Sequence, residues 1–237
     1  PGRTVRSRYR LWQRRLTPDP SGAFAAWNLI RPLPFCANGG GFSFGVHFMT
    51  LTLQTIIVIR FSYPALAGFK MAEGGIDAAR AALYDPARLE RRMALFQALT
   101  LPSLLAQTDK NFTTILLVGE DFPEPFRQRL VQLVRPLHDP HVMGMPPLNN
   151  FRATRQVMQR RLRPDASHLL SVRLDDDDAM SSDCIAELHR LAPLAAQMSG
   201  PDEPAVIAFN KGLFLTMGAD GNTLFGVTEK LPLGIGM

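Results

Sequence analysis

Arg173-Leu174-Asp175-Asp176-Asp177-Asp178-Ala179 follows directly on the apolar run His168-Leu169-Leu170-Ser171-Val172. An apolar run that ends abruptly in carboxylates reads as a buried strand delivering acids to the lip of a sheet, where open α/β folds bind ligands. Adjacent carboxylates repel one another, and a divalent cation relieves the repulsion because hard cations take oxygen ligands. The plainer reading is a solvated helix start, since Asp is favoured at helix N-termini and a helix is expected from about residue 182. The position of the run at the end of an apolar strand favours the metal site.

Two further runs share the strand character. Thr55-Ile56-Ile57-Val58-Ile59-Arg60-Phe61 is continuously apolar up to Arg60, and residues 112–118 centre on Ile115-Leu116-Leu117-Val118 before ending at Gly119-Glu120-Asp121. Both read as strands buried on the two faces of a parallel sheet. After a loop over residues 62–75, Leu89, Met93, Phe96, Leu99 and Leu104 recur at helical spacing from about Pro86 to Gln107, with Pro102 bending or dividing the helix. Residues 123–137 read as a helix with an N-terminal proline and an apolar stripe at Phe126, Leu130, Leu133 and Val134. A weak strand at 141–145 precedes a basic helix over 150–162 that carries Arg152, Arg155, Arg160 and Arg161. Downstream of the acidic run we expect a helix over 182–192, a strand run at 205–209, and a hairpin turning at Asp220-Gly221. Strand and helix alternate repeatedly, which calls for a mostly parallel α/β sheet flanked by helices.

The charge is localised. The chain of 237 residues has a formal net charge of +5 and a pI of about 9.7, yet residues 1–48 alone carry seven arginines against the single acid Asp19. The basicity therefore belongs to the front segment, and no nucleic acid is expected as a partner of the fold. That segment mixes prolines with Gly39-Gly40-Gly41 and has no sustained periodicity, so little order is expected in it. One reading starts the natural protein at Met49, just before the first clean strand. The alternative is a basic arm for acidic lipid or RNA, although no aromatic or amphipathic pattern accompanies the arginines.

Cys36 and Cys184 stand alone, without the spacing of a zinc knuckle or a disulfide framework, which fits a reducing cytoplasm and leaves room for a peripheral place at the inner membrane. His138, His141, His168 and His189 show no ligand spacing and read as structural or exposed. The most apolar window, residues 42–61, is broken by Gly45, His47, Gln54 and Arg60, so no transmembrane segment is expected. Nor does the start carry the compact apolar core and small-residue cleavage site of a signal peptide.

Three segments resemble the family 2 glycosyltransferases of the GT-A fold, and more narrowly the bacterial group described as rhamnosyltransferases. Ser103-Leu104-Leu105-Ala106-Gln107-Thr108-Asp109-Lys110-Asn111-Phe112 is similar to the family's passage from helix into second strand. Arg155-Gln156 resembles its Arg-Asn pair, about twenty residues before the acidic motif, and Leu174-Asp175-Asp176-Asp177-Asp178 resembles its L-D-x-D-D. The resemblance implies a GT-A (Rossmann-like) domain over residues 49–237, cut short on its C-terminal acceptor side, after a basic extension over 1–48. It implies transfer of a sugar, rhamnose in the narrower case, from a dTDP-, UDP- or GDP-linked donor to a glycan or other acceptor in polysaccharide biosynthesis. The transfer would be metal-dependent and inverting, with manganese or magnesium as cofactor. By position, Asp175 would meet the donor and the metal, Asp177 would ligate the metal, and Asp178 would contact sugar or metal-bound groups. Asp176 should point to the opposite side of the strand from its neighbours and is the weakest candidate.

Arg155 would reach the diphosphate or nucleoside, while Arg60 and Phe61 would hold the base by hydrogen bonds and stacking. Each has a plainer role, as a surface charge on a basic helix or an ordinary strand end. The family's pattern after its second strand is V-D-D-G-S, whereas here Gly119 replaces the acid that meets the base and Glu120 is the substitute. The family's catalytic base lies on the acceptor side, and Glu229 is the only late acid near that region, so no catalytic base is assigned. A sugar nucleotidyltransferase would share the architecture but begins with a Gly-rich phosphate loop, which Phe61-Ser62-Tyr63-Pro64 does not supply. A non-catalytic nucleotide-sugar-binding module is the remaining alternative.

Overall fold

The computed structural model describes residues 29–32, 51–66, 75–199, 203–218 and 220–228. Its centre is a six-stranded sheet of order β4-β3-β2-β5-β1-β6. Four of these strands, β2 (Leu53–Arg60), β3 (Thr113–Gly119), β4 (Pro140–Met145) and β5 (His168–Asp175), run parallel. The chain steps outward from β2 to β3 to β4, then returns to lay β5 on the other side of β2. The order of winding therefore reverses between β2 and β5, the point at whose carboxyl ends open α/β sheets bind their ligands. This is a Rossmann-like α/β fold, as the alternation of strands and helices predicts.

Strand parity explains how both faces are covered. Ile57 and Ile59 of β2, Leu116 and Val118 of β3, and Leu170, Val172 and Leu174 of β5 point to one face. There they meet Leu89 and Met93 of α2 (Pro86–Leu95), Leu130 and Val134 of α4 (Glu124–Val134), and Ile185 and Leu188 of α6 (Cys184–Met198). Ile56, Val58, Ile115 and Leu117 point the other way, onto Ala153 and Val157 of α5 (Asn150–Gln159). Helix α2 starts where its sequence directs: Asp85 caps the Arg88 N–H at 2.8 Å, and Pro86 occupies the first turn, where no N–H is needed. Pro102 does divide the long helix. A π-helical turn at Phe96–Thr100 separates α2 from the short α3 (Leu101–Leu105), in whose first turn the proline sits.

Three differences from the sequence expectations concern periodicity. Helix α6 runs on through Pro193 to Met198 rather than stopping at residue 192, because its buried stripe of Ile185, Leu188, Ala192 and Ala195 continues past the proline. An additional helix, α1 (Gly75–Leu83), follows the loop, in a stretch to which the sequence reading gave no element; it is short and has no buried residue. In the front segment, β1 (Leu29–Pro32) pairs antiparallel with β5 and with the short β6 (Ala205–Val206). The rest of residues 1–48 lies outside the described residues. The Asp-Gly hairpin forms as expected, from β7 (Lys211–Gly218) and β8 (Gly221–Thr228), with Gly221 at φ 127°.

Candidate functional site

The ends of β2 and β5 meet at the switch point. Arg60 and Asp175 are direct neighbours in the parallel register, and Arg60 Nη2 donates to Asp175 Oδ1 at 2.7 Å. Two residues read separately as ligand-binding are thus one ion pair at the switch point. Beside them, Tyr63 in the loop after β2 donates to the Pro146 carbonyl at 2.6 Å and accepts from the Leu148 N–H at 2.8 Å. The loops following β2 and β4 are thereby tied together. Burial, the largest influence, raises the Tyr63 hydroxyl above its ordinary pKa, so it remains a neutral donor.

The acidic tract sorts by side. Asp176, next after the last strand residue, has the parity of Leu174 and turns under α2, where it is 2% exposed. There Arg92 of α2 meets it with both arms of the guanidinium: Nε donates to Asp176 Oδ2 at 3.1 Å and Nη2 to Oδ1. The same guanidinium also holds Asp177, with Nη1 to Oδ2 at 2.7 Å and Nη2 to Oδ1 at 3.0 Å. Arg88, one helical turn earlier, donates to Ser62 Oγ at 2.9 Å and to the Leu83 carbonyl at 3.1 Å. Ser62 itself sits at φ 48°, the left-handed region unusual for a residue with a Cβ, where β2 gives way to its loop.

Asp178 differs from its neighbours. Burial raises its carboxyl to about 6, and the charges of Asp175 and Asp177 add to the shift, with Arg92 opposing. A partly buried acid pressed by two like charges is a place where an added cation is stabilising. Among the described residues no three His, Cys, Asp or Glu side chains form a metal cage. An ion of the magnesium or manganese type needs only one or two carboxylates, with substrate phosphate and water completing its shell. Asp175 and Asp177 are the two carboxylates that would hold it.

The remaining expected residues divide. Glu120 is exposed just past β3, and its backbone N–H donates to the Met145 carbonyl at 3.0 Å. Gly119 is needed for close approach: a Cβ there would lie 2.0 Å from the Tyr84 hydroxyl, which donates to Asp121 at 3.0 Å. Asp121 in turn pairs with Arg80 at 2.7 Å. Arg155 is exposed on α5, and no hydrogen bond or ion pair joins it to the acidic tract among the described residues. Phe61 requires a correction. It is fully buried, edge-on to Phe96 and Phe122 at 5.9 Å each, so its ring packs in the core and offers no face to a base. Residue 229 lies outside the described residues.

Sequence reading missed Arg88 and Arg92, whose spacing of four on a helix starting at the switch-point loop was the available signal. It also left Gln107 without a role. Gln107 is 1% exposed; its Nε2 donates to the Ser181 carbonyl at 2.7 Å, and its Oε1 accepts from the Ile185 N–H at 3.1 Å. With Thr108 N–H donating to the Ser182 carbonyl at 2.7 Å, this pair anchors the segment between the acidic tract and α6. The Gln-Thr signature is therefore a clamp on the loop that follows the acids.

The parallel sheet, with its charged side chains converging at the switch point, is of the Rossmann-like class. Within that class the chain belongs to the family described as "Putative rhamnosyl transferase", whose model matches residues 54–237. The match begins in β2 and takes in the acidic tract and all of the described helices. No curated protein matches the chain. Among the described residues, no helix is long and apolar enough to cross a membrane.

Proposed function

We propose that this chain is a GT-A-type, family 2 glycosyltransferase that moves a sugar of the rhamnose class from a nucleoside-diphosphate donor to a glycan or related acceptor. The observation that carries the reading is the meeting of the acidic tract and Arg60 at the switch point of a chain whose family is named for sugar transfer. Asp175 orients the donor while Arg60 holds its carboxylate in place. Glu120, exposed past the end of β3, would meet the nucleoside of the donor, and Arg155, exposed on α5, would reach its diphosphate. A divalent ion on Asp175 and Asp177 would supply positive charge to the departing diphosphate, which is the main catalytic demand of such a transfer. Attack from the opposite face of the sugar makes the reaction inverting.

The test is a thermal-shift screen of the purified chain against UDP, GDP, dTDP and CDP, each with and without Mn²⁺, since a ligand bound only by the folded state raises its melting temperature. A shift requiring both one nucleotide and the metal, and lost in Asp177→Asn, supports the donor site and names the base. A well-folded sample that no nucleotide shifts under either condition overturns the reading.

A further inference from the structure

Arg92 reaches two carboxylates from one guanidinium, and the two are held in unlike surroundings. The Asp176 side chain is 4% exposed and the Asp177 side chain 39%, with Arg92 between them at 21%. Separating a buried ion pair by removing one partner strands a charge away from water, whereas a half-exposed pair contributes little and is easily exchanged. The planar fork of arginine allows both contacts at once: Nε and Nη2 face Asp176, while Nη1 and Nη2 face Asp177. One carboxylate therefore anchors Arg92 to the sheet, and the other is available for exchange.

Building on the reading of Asp177 as a metal ligand, we propose that Arg92 is the resident counter-cation of the acidic tract. It holds Asp177 in the metal-free protein, yields that carboxylate to a divalent ion, and remains on Asp176 throughout. The pairing keeps the tract intact without metal, since Asp175, Asp176 and Asp177 each already have an arginine. It also sets the affinity for the ion, because every ion that binds competes with Arg92 for Asp177. Arg92 is thus a positioning residue that acts on the metal site through Asp177. Arg88, engaged with Ser62 and Leu83, holds the neighbouring turn of α2 in register.

The experiment measures Mn²⁺ binding by electron paramagnetic resonance, on the full chain, alone and with each of UDP, GDP, dTDP and CDP. Asp176→Asn leaves Arg92 with Asp177 as its one acidic partner in the tract, and should weaken Mn²⁺ binding about three- to tenfold. Arg92→Met combined with Asp176→Asn frees Asp177 without stranding a buried charge, and should tighten Mn²⁺ binding by a similar factor, about the exchange of one half-exposed ion pair. A purely structural Arg92 would lower melting temperatures and leave the Mn²⁺ dissociation constant alone. Equal Mn²⁺ affinity in the wild type and both variants overturns the role of Arg92 while leaving the glycosyltransferase reading in place. Absence of Mn²⁺ binding to the wild type with every nucleotide removes the metal site itself, and the inference falls with it.

Discussion

The two edges of the parallel sheet draw on the same residue types, acids with arginine or histidine beside them, and put them in opposite electrostatic states. At the amino-terminal edge, His189 bridges Asp109 at 2.7 Å and the buried Thr55 hydroxyl at 2.6 Å. Close by, Asp139 accepts from Thr113 at 2.7 Å and pairs with His141, which Arg161 also contacts. Burial works against the charge on Asp109 and Asp139, but hydrogen bonds and the neighbouring histidines outweigh it and hold both carboxyls below their ordinary range. At the carboxyl-terminal edge four acids crowd together, and Asp178 is pushed up to about 6. A cleft of about 370 Å³ opens at the amino-terminal edge, lined by Thr55, Asp139, His141 and Arg161. Its acids are already satisfied, so the concavity alone does not make it the site. What separates the two edges is Asp178: Asp175, Asp176 and Asp177 each have an arginine, whereas Asp178 is buried and pressed by the charges of Asp175 and Asp177.

The contrast can be broken most forcefully at Arg92. Arg92→Ala should cost about 3–5 kcal/mol in urea unfolding, because Asp176 would be left buried and unpaired. A cost below 1 kcal/mol would show that water reaches Asp176 and that the pair is a surface contact. Next in size, Asp177→Asn should weaken metal-dependent nucleotide binding about 10- to 100-fold, as loss of a metal ligand or its close support does, with the urea midpoint nearly unchanged. Calorimetric titration with the nucleotide found in the screen checks this.

His189→Ala should do the reverse. It should cost about 1–3 kcal/mol by leaving the Thr55 hydroxyl and Asp109 without their shared partner, while the nucleotide-dependent thermal shift stays the same. A lost shift would mean that the two edges are coupled. The smallest effect is a pH dependence. Asp178 is raised above its unfolded value of about 3.9, so its contribution favours the folded state at low pH and is lost as pH rises through about 6. In chelator, Asp178→Asn should therefore melt a few degrees higher than wild type at pH 7.5 and no higher at pH 4. Added Mn²⁺ should narrow the gap at pH 7.5, because the cation stabilises the ionised carboxylate of the wild type.

Local order in the sequence was enough for much of this protein. The strands β2 and β3 centre on continuous apolar runs and β5 on a largely apolar one, and the acids at the end of β5 stand out because they end it. The helix start near Pro86, the break near Pro102 and the Asp-Gly hairpin are likewise short-range signals, each set by the conformational preferences of a few neighbouring residues. Strand parity even assigned Asp176 to the side away from its neighbours. The sequence could not show what waits on that side, because Arg92 lies 84 residues earlier, on a helix face where an arginine reads as a surface charge. The same limit applies to Phe61, which belongs to the core because the π-helical turn after α2 and the segment after β3 close over it. Side-chain periodicity reports which face of an element is apolar. The order β4-β3-β2-β5, which joins Arg60 to Asp175 at the switch point, depends on pairings between distant segments and was decided when the sheet assembled and the helices packed onto it.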